Sequence, residues 1–115
     1  MTTHDRLRIG GEALVAAWQE RLPELMPPGA RAEVLQDGAN SQVLRIHIQV
    51  PGHQAYTLDY KVSYADSREI RAELVDVDKH GRAVDVEDGP VQELVRDYMR
   101  VLHECAQALH SLTHA

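Results

Sequence analysis

Phenylalanine is absent from this 115-residue chain, and its aromatic side chains amount to Trp18, Tyr56, Tyr60, Tyr64 and Tyr98. The core must therefore be aliphatic, with tyrosine hydroxyls and one indole N–H that need partners wherever they are buried. Cys105 is the single cysteine, which excludes an intramolecular disulfide and fits a reducing compartment, so the cytoplasm is the expected location. Long hydrophobic runs are missing too. The longest, Ala13 to Trp18, has six residues, against roughly 20 for a membrane-spanning helix. Residues Met1 to Arg8 carry charges of both signs and lead into no secretory apolar segment.

Positive charge is in short supply. Twelve basic against eighteen acidic residues leave a formal charge of -6, with no segregated basic patch to attract a phosphate backbone or an anionic bilayer. Neither nucleic acid nor membrane is an expected partner. Glycine-rich phosphate loops, nucleophile-elbow serines, paired zinc cysteines and dinucleotide fingerprints are likewise missing. No cofactor is expected, and no motif marks an enzyme.

What is present is patterning. Leu7, Gly11, Leu14, Trp18 and Leu22 recur at steps of four, three, four and four, one face of an amphipathic helix. Gly10 and Gly11 weaken that helix by about 2 kcal/mol relative to alanines, which places its start between Asp5 and Gly11. Pro23, then Pro27, Pro28 and Gly29, are expected to end it. From Arg31 to Glu87 the period changes to two. Leu44, Ile46, Ile48 and Val50 alternate with Arg45, His47 and Gln49; Tyr56, Leu58, Tyr60, Val62 and Tyr64 alternate with Thr57, Asp59, Lys61 and Ser63. Ile70, Ala72 and Leu74 begin a further strand whose phase slips when Val75 and Val77 take the apolar role, predicting a β-bulge near Leu74. Asp78 to Gly81 reads as a type I turn, leading into Val84 and Val86. Pro90 suits the first turn of a last helix, and an apolar stripe continues from Val91 to Leu112. The expected fold is a two-layer α+β domain spanning residues 1–115. An N-terminal helix, an antiparallel meander of four to five strands and a long C-terminal helix follow in order, with both helices on one sheet face.

The candidate sites lie on polar surfaces of this scheme. Asp76, Asp78, Gly81 and Glu87 match positions one, three, six and twelve of a calcium loop. His80 at position five is a poor ligand for a hard cation, and the flanks read as strands where an EF-hand needs helices. An acidic hairpin is the preferred reading, with Asp76 facing Asp85, and Asp78 and Glu87 diagonal to them, as a docking element for a basic partner. His110 and His114 have the i, i+4 spacing that chelates a transition metal, and His103 shares their face. A polar helix face explains them as well, so no metal is assigned. Cys105 falls within the apolar stripe and reads as a buried small hydrophobe. Pairing Val50 with Tyr56 sets His47 opposite Asp59 and Arg45 opposite Lys61; pairing Tyr64 with Ile70 sets Lys61 opposite Glu73. The leading functional expectation is a nonenzymatic protein-binding module, of the adaptor, chaperone or inhibitor kind, that meets a basic protein through acidic or open-sheet surface. A homodimer through the open sheet face is a further option. The alternative is a small-ligand domain with Tyr56, Tyr60 and Tyr64 lining a pocket between sheet and helices.

Overall fold

A computed structural model describes residues 9–52, 55–84 and 89–113. Helix α1 spans Gly11–Leu25, strands β1 to β4 span Arg31–Gln36, Val43–Gln49, Tyr56–Tyr64 and Ile70–Lys79, and β5 is the pair Arg82–Ala83. Helix α2 spans Gly89–Ala108, and a one-turn α3 covers His110–Thr113. The strands form one antiparallel sheet in the order β1-β2-β3-β4-β5. The element order is the α+β order expected from the periodicities.

Alternation decides which face is buried. Leu44, Ile46, Ile48, Leu58, Tyr60 and Val62 are inaccessible on one side of the sheet, and Leu14, Trp18 and Leu22 of α1 join them with Tyr98, Leu102 and Cys105 of α2 in a single core. Leu94, expected in the core, is only half-buried at its margin. The buried polar atoms of the aromatics are paired. Trp18 Nε1 donates to the Tyr64 hydroxyl at 3.1 Å, and the Tyr60 hydroxyl donates to the Val95 carbonyl of α2 at 2.7 Å.

Four local expectations need correction. Helix α1 continues through Pro23 to Leu25; burial of Leu22 and Met26 on either side holds that last turn against the core. The apolar stripe of α2 does not reach Leu112. The helix breaks at Leu109, leaving Leu112 46% exposed, while Thr113 turns inward and its Oγ1 donates to the Ser67 carbonyl at 3.0 Å. The bulge does fall beside Leu74, with Tyr60 opposite Leu74, Asp59 opposite Asp76 and Val75 the supernumerary residue, but the apolar role expected of Val75 does not hold. Val75 therefore points away from the helices and is 52% exposed, and Val77 alone resumes the buried face. Finally, the β4–β5 turn is centred on His80 and Gly81, which have φ of 54° and 79°. Positive φ at both central residues marks a type I′ hairpin turn, whose twist matches that of the strands, where a type I turn would splay them.

Candidate functional site on the open face of the sheet

No helix covers the second face of the sheet among the described residues, and its side chains are those that alternate with the core. Cross-strand register lines them up in rows. Glu33, His47, Asp59 and Asp76 form one row across β1 to β4, and Leu35, Arg45, Lys61 and Glu73 form the next. One row is thus mainly acidic, and its neighbour carries two cations beside the 51% exposed Leu35.

The acidic row closes up at β3 and β4. His47 Nδ1 lies 2.6 Å from Asp59 Oδ1, with both side chains about two-thirds covered. That geometry has Nδ1–H donating to the carboxylate and leaves Nε2 as the free ring nitrogen. Asp76 stands directly opposite Asp59, and Asp78, opposite Thr57, points to the same side. Carboxylate oxygens of Asp59, Asp76 and Asp78 lie within 4.8 Å of one another. Among the described residues, Asp59 has His47 as its partner, and Asp76 Oδ1 accepts from the Val77 N–H at 3.0 Å. A depression of about 320 Å³ beside the cluster is lined by Leu35, Arg45, His47, Asp59, Val75 and Asp76, together with Ile46 and Tyr60.

The arrangement is suited to holding positive charge. Three carboxylates at this spacing match oxygen ligands around a hard cation, which sit 2.3–2.6 Å from calcium, and match equally the three N–H donors of a lysine ammonium or the fork of a guanidinium. His47, held by Asp59, has the orientation of an acid–base pair.

Sequence reasoning named His47, Asp59, Asp76 and Asp78 but kept them as two separate features. The structure brings them into one. Asp59 was missed as a member of the acidic group because its partner depends on which residue bulges: without the extra Val75, Asp59 would face position 75. Asp85 and Glu87, the other two carboxylates expected on the hairpin, lie outside the described residues, as does His114. His110 is exposed on α3. In the β4–β5 register Asp78 is opposite Ala83, and the Val84 N–H donates to the Val77 carbonyl. Of the tyrosines, Tyr60 and Tyr64 spend their hydroxyls inside the core, as described above, and Tyr56 is half-buried beneath Lys79, whose Nζ lies 5.7 Å from the ring centre.

The chain matches no protein-family model, no curated protein and no solved structure. None of the described helices is long and apolar enough to cross a membrane.

Proposed function

We propose that this chain is a nonenzymatic protein-binding module that receives a lysine or arginine of its partner on the carboxylates of Asp59, Asp76 and Asp78. The observation that carries the reading is the convergence of those three groups on an uncovered sheet face. Like charges placed opposite one another are a local cost in a sheet, of the order of 0.2–1 kcal/mol per pair, and a cationic side chain relieves it. Leu35 and Val75, both exposed beside the cluster, supply the apolar contact that a peptide needs in addition to charge. The ligand-pocket alternative draws less support, because the Tyr60 and Tyr64 hydroxyls are engaged with Val95 and Trp18.

The test is selection from a random peptide library displayed against the chain, followed by amide-shift mapping of a selected peptide. Basic peptides should emerge, perturb residues of β2 to β4 on the open face, and bind at least about tenfold more weakly to Asp59→Asn with Asp76→Asn, most visibly at low salt. Selection of peptides without basic residues, or shifts confined to the helices, would refute the reading. Saturable shifts at the same residues with micromolar calcium would reassign the cluster to metal binding.

A further inference from the structure

The two edges of the sheet are finished differently. At the β1 edge, Gln19 of α1 occupies outward-facing groups: its Nε2 donates to the Ala32 carbonyl at 2.9 Å and its Oε1 accepts from the Val34 N–H at 2.8 Å. A strand edge so engaged is closed to further pairing. At the opposite edge β5 pairs with Asp78 and Lys79, the Val84 N–H reaches the Val77 carbonyl, and among the described residues no strand lies outside Ile70–Leu74.

Which groups face outward there follows from the ladder. The Tyr64 N–H donates to the Gln42 carbonyl, on the β2 side, so the next residue, Ser63, bonds toward β4 and exchanges hydrogen bonds with Arg71. Arg71 and Glu73 thus bond inward to β3, and the N–H and C=O groups of Ile70, Ala72 and Leu74 point away from the sheet. Their side chains take the helix face, while those of Arg71 and Glu73 are exposed on the open face.

This five-residue edge is complementary to itself. Set antiparallel to a second copy with Ala72 opposite Ala72, Ile70 meets Leu74 of the second copy and Arg71 meets its Glu73, each contact occurring twice. Hydrogen-bond parity agrees, because Ala72–Ala72 and the Ile70–Leu74 pairs are then the ones that exchange N–H···O=C bonds. Moving the axis to Arg71 or Glu73 sets like charges against each other at the centre. Moving it by half a residue puts apolar side chains opposite charged ones. A single register therefore satisfies charge, polarity and hydrogen bonding together, as a two-fold interface requires. Beside the same edge, on the helix side, a groove of about 320 Å³ between β4 and α2 is lined by Leu74, Val95 and Met99 with Gln92 and Arg96.

We infer that the chain forms a homodimer through antiparallel pairing of its two β4 edges about Ala72. The two five-stranded sheets join into one, the two α2 helices lie side by side over the junction, and the Leu74–Val95–Met99 groove is covered. The bulge at Val75 ends the new ladder at Leu74. This interface is separate from the acidic cluster, which it leaves open on both copies.

Sedimentation equilibrium of the full chain between about 1 and about 200 μM tests it. The wild type should reach dimer mass within that range. Arg71→Glu and Glu73→Arg each confront like charges twice and should each weaken association about tenfold or more, whereas an equimolar mixture of the two should associate as a heterodimer. Ala72→Pro removes an outward N–H that pairs with no strand among the described residues, so it should abolish dimerisation while circular dichroism and melting stay those of a folded chain. It also decides the matter if Glu73→Arg, placed opposite Lys61, fails to fold. A wild type monomeric throughout the range, a dimer indifferent to Arg71→Glu and Ala72→Pro, or folded charge variants that fail to associate on mixing would overturn the inference.

Discussion

Gln19 shows how one polar side chain on a helix can decide the behaviour of a strand. It is half-buried, yet both ends of its amide are matched to backbone groups of β1. Gln19→Ala removes both partners at once. It should cost about 1–3 kcal/mol in urea denaturation and speed hydrogen exchange at the Val34 amide; unchanged exchange there would show that the amide is not what protects the edge. A second residue-scale prediction concerns alkaline pH. Burial pushes the Cys105 thiol up to about 12, and it pushes the Tyr64 hydroxyl up to about 12 against the opposing hydrogen bond from Trp18. Burial also raises Tyr60 and Tyr98. The unfolded chain releases these protons first, near 9.0 for the thiol and 10.0 for the phenols, so it binds fewer protons than the folded chain above those values. The stabilisation is therefore complete below about pH 9 and is lost as pH rises toward 12. Denaturation midpoints should be level from about pH 7 to 8.5 and decline above pH 9 to 10, and the native thiol should resist alkylation.

At the scale of elements, the turn between β4 and β5 carries a testable strain. His80 adopts φ of 54°, a region costly for most side chains and better tolerated by asparagine. His80→Asn creates the Asn-Gly pair favoured in type I′ turns and should raise stability by a few tenths to about 1 kcal/mol, read as an increase in Tm. Gly81→Ala, at φ of 79°, should lower it. The same hairpin shows where local patterning runs out. Strict alternation in β2 and β3 made their buried faces legible, and a short turn between them made the pairing of His47 with Asp59 legible as well. In β4 the run Leu74-Val75-Asp76-Val77 satisfies alternation in two phases, and only packing against Tyr60 and Leu58 selects Leu74 and Val77 as the inward pair. Because the phase sets which acid faces Asp59, the three-carboxylate group was not legible until the bulge was placed. The break at Leu109 was hidden for a similar reason, since Leu112 continues the apolar spacing of α2 while a tertiary bond from Thr113 to Ser67 redirects the chain.

At the scale of the whole molecule, the two sheet faces meet opposite demands. The helix-covered face holds an aliphatic core in which the polar atoms of Trp18, Tyr60 and Tyr64 are paired, and it supplies the stability. The open face tolerates an unfavourable juxtaposition: Asp76 opposite Asp59, with Asp78 close by. If that juxtaposition serves binding, removing it should improve the free protein. Asp76→Asn deletes one charge of the opposed pair without disturbing His47 and Asp59, so it should stabilise the unliganded chain by about 0.2–1 kcal/mol. The gain should be largest near 20 mM salt and shrink near 0.5 M, where the Debye length falls to roughly 4 Å. Asp59→Asn relieves the same repulsion but also weakens the bond to His47, so its gain should be smaller or absent, and the two variants together separate repulsion from pairing. The measurement is urea denaturation of the three proteins at both salt concentrations. Equal stability of wild type and Asp76→Asn at low salt would mean that the carboxylates carry no mutual cost, and the case for a cationic partner would lose its energetic basis. A stabilised Asp76→Asn that binds basic peptides more weakly is the outcome expected of a surface that trades stability for recognition.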